Sequence, residues 1–498
     1  MLDIVIASLQ NIFTWSNILA MNLGLTAGIM FGALPGLTAT MGVALLLPIT
    51  FGLDPITGIT LLLGVYCGGI YGGSITAILI KTPGTPASAA TIMDGYTMAQ
   101  KGQAGKALKM ALIASTIAGI FSALMLLFIA PQIAKIALKF GPAEYFSLAI
   151  FGLTIISTVS ANNIIKGIIM GVLGMFVSMI GLDPIDGISR LTMGNPYLSA
   201  GIQLIPALIG LFAISEIFSK VRQGNFTRKE KITKFEHQKI TLKEIKDHLR
   251  TIIKSSAIGT MIGAIPGTGA AIASFLSYNE AKRVSKTPEK FGTGHMDGVA
   301  AAEAGNNGVT GATLIPLLTL GVPGDTVTAI LLGALMMQGL TPGPKLFTTH
   351  GEIVYTIMVG LILVNIFMYL QASVFVKAFV NVTKIPVNLL VCILMVLCVV
   401  GAFAVNSTMF DVKMMMAFGV IGYFMPRFGF PVTPMLLAII LGPMAEFNLR
   451  RALILSDGSY GILFSRPISL AFLIISIGTI LLPVIKKIYV KGKTARGE

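Results

Sequence analysis

Residues 28–36 read GIMFGALPG, and residues 259–267 read GTMIGAIPG. Six of the nine positions are identical at a separation of 231 residues, and both copies end in a Pro-Gly pair inside apolar sequence. Proline lacks an N–H and clashes with the preceding turn, while glycine accepts left-handed dihedrals. Each pair therefore stops one helix and lets another begin. In hydrocarbon, broken backbone survives only where protein buries it or a wet cavity receives it. Pro-Gly is also ordinary loop punctuation. What favours the first reading is that the pair recurs in matched, greasy surroundings.

Those surroundings set the class. Of 498 residues, 54% are hydrophobic and 11% charged, against about 25% charged in soluble domains. Many runs reach the ~20 apolar residues that cross a bilayer, and none shows the alternating ~10-residue strands of a transmembrane barrel. The expected fold is an all-α polytopic membrane protein of about 10–12 transmembrane helices plus re-entrant hairpins. The net charge of +15 fits basic cytoplasmic loops; nucleic acid is excluded as a partner because no aromatic-basic interleaving occurs. Cys67, Cys392 and Cys398 lie apart in apolar segments, and His237, His248, His295 and His350 lack ligand spacing. Neither a disulfide framework nor a transition-metal site follows.

Residues 220–254 hold eleven Lys or Arg and four Asp or Glu. They read as a cytoplasmic linker between a first membrane half, 1–219, and a second, 255–498. TLKEIKDHLR within it (241–250) is either a short surface helix or a solvated loop. Counting spans outward from the linker puts Asp183, Asp186 and Arg190 outside and Lys101, Lys106 and Lys109 inside. Counting back from the basic C-terminal tail puts Lys377 and Lys384 inside. Helix 107–130 then starts inside and helix 353–376 starts outside, so the halves are expected to be inverted-topology repeats. Lys135, Lys139, Arg450 and Arg451 fall on the outer side against the rule. Lys254 on one flank and Lys282, Arg283 and Lys286 on the other make 255–280 a re-entrant hairpin with Pro266-Gly267 at its tip.

Four Pro-Gly tips follow from the two halves: Pro35-Gly36 before Thr38 and Thr40, Pro266-Gly267 before Thr268, KTPGTP at 81–86 and LGVPGDT at 320–326. The last two align at an offset of 240, which also pairs Gly68 with Gly308. Helix N-termini at such tips suit anionic groups, and unwound carbonyls suit Na⁺ or a proton carrier. The substrate-binding candidates are Pro35, Gly36, Thr38, Thr85, Pro266, Gly267, Thr268, Asn306, Asn307, Pro323 and Gly324. Asn306 and Asn307 can donate to a carboxylate and accept around a cation. Glu303, with Asn306, is the ion-coupling candidate, since an intramembrane ionisable group marks function by default. Were the helix to begin after them, these residues would be caps. Lys81 is either a counter-ion to an anionic substrate or a lysine snorkelling to the interface. The glycines of YCGGIYGGS (66–74) permit close helix packing, with Tyr66 and Ser74 in reach of a ligand.

These motifs carry a resemblance. GALPG (32–36), YGGSITAILIKTPGTPASAATIMDGY (71–96), GAIPGTGAAIASFLSY (263–278), FGTGHMDGVAAAEAGNNGVTGATLIPLLTLGVPG (291–324) and LTPGPKLF (340–347) resemble TctA, the large membrane subunit of tripartite tricarboxylate transporters. MetAsp at 296–297 departs from the acidic pair expected before Gly298. The resemblance implies a bacterial inner membrane, carboxylate uptake and drive by a Na⁺ or proton gradient. It also implies a small TctB-like membrane subunit and a TctC-like periplasmic solute-binding protein. No GxxxxGK[ST] phosphate loop occurs, which fits ion drive, and no cofactor is expected beyond the coupling ion.

The expected function is import of di- or tricarboxylates by cation symport, with no enzymatic activity. The alternatives are a carboxylate carrier independent of a binding protein, a passive channel, and an intramembrane lipid-modifying enzyme. The enzyme lacks paired carboxylates or a Cys/His dyad, and broken repeats favour a carrier over a channel.

Overall fold

The computed structural model describes residues 2–34, 36–159, 163–223, 238, 240–382 and 387–495. Pro35 and linker residues 224–237 lie outside the described residues. The chain is helical almost throughout. Among the described residues, six helices are long and apolar enough to cross a membrane unaided, and six shorter apolar helical stretches accompany them.

Each half opens with a helical hairpin. In the first, Trp15–Ala33 is capped by Thr14 and Ala39–Leu46 by Thr38, with Gly36 between them at φ +81°. In the second, Leu242–Gly263 starts at a Thr241–Glu244 capping box and Gly269–Val284 returns from it, with Gly267 at φ +84°. TLKEIKDHLR is thus neither a separate surface helix nor a loop: it is the first three turns of the second hairpin. Lys254 Nζ on the outgoing limb meets Glu280 of the return limb at 2.7 Å, which ties the two limbs together, and Arg283 Nε, one turn on, holds the same carboxylate at 2.7 Å.

A core helix follows each hairpin. The first is Pro55–Ile80, started by Asp54 and a first-turn proline. The second spans 296–320 in three pieces, Met296–Asn307, Val309–Ala312 and Leu314–Leu320. Small residues bring each core helix against its hairpin. A Cβ on Gly24, Gly28 or Gly32 would overlap the backbone carbonyl of Leu61, Val65 or Gly69, and one on Gly64 or Gly68 would lie 2.8 Å from Met21 O or 2.7 Å from Leu25 O. These interleaved glycines at every fourth position are the small-xxx-small device of membrane helices. In the second half Gly259 lies against Gly305 and Gly263 against Val309.

The same contacts give direction. Gly24–Leu61, Gly28–Val65 and Gly32–Gly69 rise together, so the outgoing limb and its core helix run parallel. Gly42–Val65 and Gly69–Ala39 run oppositely, so the other limb returns. The two core helices cross antiparallel: Tyr66 meets Thr313 at 3.3 Å and Ser74 meets Glu303 at 2.6 Å. The long helix Ala104–Ala137 runs with the second core helix, since Ser115 meets Glu303 and Ser122 meets Ala312. Its counterpart Gly351–Val382 runs with the outgoing limb of the first hairpin, since Asn11 of the preceding helix Leu2–Ile12 meets Glu352 and Asn22 of the limb meets Gln371. The two long helices therefore point in opposite directions, as the loop charges require of inverted repeats.

The halves also pack helices against each other. The segment Leu204–Leu208, Ile209–Ile214 and Ser215–Gln223 packs on Met409–Phe424 of the second half, where Gly210 abuts Met415 O. Val432–Leu455 packs in turn on Pro142–Val159 and Ile164–Ser178 of the first. Arg450, against the charge rule by itself, pairs with Asp183 and Asp186, and Arg190 pairs with Glu446. Counter-charges thus gather on that side. Hydrogen bonds from the Asp186 and Ile185 N–H groups, with Arg450 beside them, hold the Asp183 carboxyl down at about 2.

Candidate functional site

The crossing of the core helices carries polar groups in two symmetry-related places. At the first, Asp325 caps Thr326–Met337, its Oδ1 accepting from Thr328 N at 2.7 Å and from the Thr328 hydroxyl at 2.8 Å. The Tyr66 hydroxyl donates to Asp325 Oδ2 at 2.7 Å and lies 3.3 Å from Thr313 Oγ1. Thr40 and Thr326 share a hydrogen bond of 3.1 Å. The tip after Pro323-Gly324 is thus closed by a carboxylate of the chain itself.

Shifting by 240 positions turns Asp325 into Thr85, Thr328 into Ser88, Tyr66 into Asn306 and Thr313 into Gly73. One bond of the turn is kept: the Thr328 hydroxyl donates to Asp325 O at 3.1 Å, and the Ser88 hydroxyl donates to Thr85 O at 2.9 Å. The closing bond is not kept. Thr85 Oγ1 and both Asn306 Nδ2 and Oδ1 are buried without a hydrogen-bond partner. Buried polar groups nearly always have one, so this tip presents two donors and an amide acceptor left unsatisfied by the protein.

Beyond the second place, about one turn before Asn306 on the same helix, sits Glu303, fully buried. Its Oε1 accepts from Ser74 at 2.6 Å and from Thr91, and its Oε2 accepts from Ser115 at 3.1 Å. Asn307 Nδ2 donates to Ser115 Oγ at 2.8 Å, while Asn307 Oδ1 is buried without a donor. Four helices from both halves converge on one carboxylate. Glu303 and Asn306 lie within Met296–Asn307 and Asn307 is its last residue, so none of them caps the start of the helix.

The remaining candidates divide. Gly267 N donates to Gly324 O at 2.7 Å, joining two Pro-Gly tips, and Pro266, Pro323 and Gly324 are buried. Thr268 is engaged elsewhere: its hydroxyl donates to Ile262 O at 2.6 Å and Ile265 O at 2.9 Å, capping the outgoing limb. Thr38 accepts from Met41 N at 3.2 Å as a helix cap. Gly36 makes its turn with the Lys220 ammonium packed against it. Lys81 is exposed, its Nζ 5.7 Å from the centre of the Tyr96 ring, away from the buried groups. A cavity of about 350 Å³ opens between the long helices and the start of the second hairpin. Tyr71, Lys109, Ile245 and Tyr369 line it, and Tyr71 stands one helical turn before Ser74.

Thr91, Ser115 and Asp325 escaped the sequence reading. Ser115 had a weak signal, a small polar residue inside a long apolar helix. Asp325 had a stronger one, a charge placed directly after a Pro-Gly pair.

Comparison with known proteins bears on this arrangement. The profile of the tripartite tricarboxylate transporter TctA family matches residues 18–437. An uncharacterized 52.8 kDa protein encoded in the TAR-I ttuC' 3' region of Agrobacterium vitis is 35% identical over 472 residues, 95% of this chain and 94% of that protein. A second from the TAR-II ttuC' 3' region of the same organism is 34% identical over 230 residues, 46% of this chain and 95% of that protein. No solved structure is significantly similar. With its glycine-laced hairpins, a core helix broken in the second half and a family match over most of its length, the chain belongs to the TctA family of tripartite tricarboxylate transporters.

Proposed function

We propose that this chain is the large membrane subunit of a binding-protein-dependent secondary transporter, importing di- or tricarboxylates by symport with Na⁺ or H⁺ across a bacterial inner membrane. A TctC-like periplasmic protein delivers the substrate, and a TctB-like small subunit completes the complex. The chain performs no covalent chemistry on its cargo.

One observation carries the reading. The second half closes its tip with Asp325 on Tyr66, whereas the equivalent Thr85 and Asn306 are buried and unpaired. A substrate carboxylate seated there takes the role that Asp325 plays opposite: the Asn306 amide and the Thr85 hydroxyl donate to it. Glu303 binds the coupling ion. The interlocked tips at Gly267 and Gly324 are the elements that part when the site changes sides. Uptake of labelled citrate and of a panel of di- and tricarboxylates, by cells bearing the three subunits, tests this. Wild type accumulates at least one substrate. Asn306→Ala and Thr85→Val, expressed to the same level, lose at least tenfold in uptake. Unchanged uptake in both variants contradicts the assignment.

A further inference from the structure

The Glu303 cluster has a symmetry mate, and the mate is apolar. At the offset of 240, Glu303 corresponds to Leu63, Ser74 to Leu314 and Thr91 to Leu331. All three leucines are buried, at 0%, 3% and 1% exposure. The same architecture is therefore built with hydrocarbon on one side and with a carboxylate and hydroxyls on the other. Folding does not call for the polar version, because a buried charge is costlier than a leucine.

The cluster's chemistry points to a cation. Three hydroxyls donate to Glu303. Among the described residues, no Lys, Arg or His lies within salt-bridge distance of it. Asn307 Oδ1, on the next turn of the same helix, is a buried acceptor without a donor. An anion in this place would need donors; an unpaired amide oxygen beside a carboxylate and hydroxyls offers lone pairs. The donor set is all oxygen, which suits hard cations. It holds one negative charge and its atoms already touch, which suits a single small monovalent ion.

We propose that Glu303, Ser74, Thr91, Ser115 and Asn307 bind one sodium ion per chain. The ion's role as coupling ion rests on the transport reading; its binding does not. Sodium replaces the hydroxyl protons as the carboxylate's partner, the hydroxyls turn their lone pairs to it, and Asn307 Oδ1 completes the shell. The symmetry mate, with Leu63 for Glu303 and Cys67 for Asn307, has no carboxylate or amide oxygen and binds none.

The test uses the purified chain in detergent, with thermal unfolding followed against NaCl at constant ionic strength made up with choline chloride. Wild type gains stability along a saturating curve, and KCl gives a response at least tenfold weaker in apparent affinity. Glu303→Gln loses the response. Ser115→Ala and Asn307→Ala, which keep the carboxylate, shift its midpoint at least tenfold upward. Glu303→Leu copies the mate, so it folds and does not respond. A wild type indifferent to sodium, a response surviving in Glu303→Gln, or a protein stabilised by acid and not by sodium overturns the site. Sodium stabilisation without carboxylate uptake by the assembled system upholds the site and overturns the transport reading.

Discussion

The Tyr66 hydroxyl donates to Asp325 Oδ2 at 2.7 Å, from the core helix of one half to the tip of the other. It is one side of an approximate two-fold whose other side, Asn306 and Thr85, lacks the bond. Tyr66→Phe leaves a half-buried carboxylate oxygen short of a donor. The expected loss is about 1–3 kcal/mol, read as a lower unfolding temperature.

Asn306→Ala behaves in the opposite way. The amide has no partner to lose, so its removal leaves thermal stability unchanged or raised while transport falls. A variant that is inactive because it is unstable contradicts this reading; circular dichroism melts beside uptake assays separate the cases.

Gly68 sits where an added Cβ lies 2.7 Å from Leu25 O and 3.1 Å from Ile29 N. Backbone cannot yield as a side chain can, so Gly68→Val destabilises by at least about 1–3 kcal/mol. Gly102→Ala serves as control: it has open space around it, though its φ of +77° adds local strain. Yield and monodispersity after extraction distinguish the two.

At the foot of the second hairpin, Lys106 Nζ lies 2.6 Å from Glu244, and Thr241 N donates to the same carboxylate at 2.8 Å. Lys106 first, then Thr241, holds the Glu244 carboxyl down at about 2. A depressed carboxylate stabilises the fold above its unfolded value and loses that contribution as pH falls toward the folded one. Lys106→Met raises the folded value, so the protected amides of Leu242–Gly263 begin to exchange at higher pH on acidification. Hydrogen exchange between pH 3 and about 6 reads the shift, and an identical acid limb in both proteins rules it out.

Much of this was legible in the residues. The Pro-Gly pairs located both hairpins because proline and glycine act locally, whatever packs around them. Charge asymmetry gave the opposed repeats because the bilayer reads lysine and arginine loop by loop. Arg450 broke that rule since its partners, Asp183 and Asp186, lie far back in the chain. Thr38 and Thr268 looked like ligand groups, yet a threonine beside a helix end also satisfies that end, and both do so. Thr91 and Ser115 could not be found by spacing. Only the crossing of four helices brings them to Glu303.

On the proposed function, opposed repeats carry a carboxylate across a membrane at the expense of a cation gradient. Solute accumulation in proteoliposomes holding the chain with its small subunit and loaded binding protein measures this. An inward sodium or proton gradient is imposed, then collapsed by ionophore. The account predicts that carboxylate rises above its external level while the gradient stands and runs down when it is lost. Uptake that proceeds alike with and without any gradient, or that never passes equilibration, contradicts it.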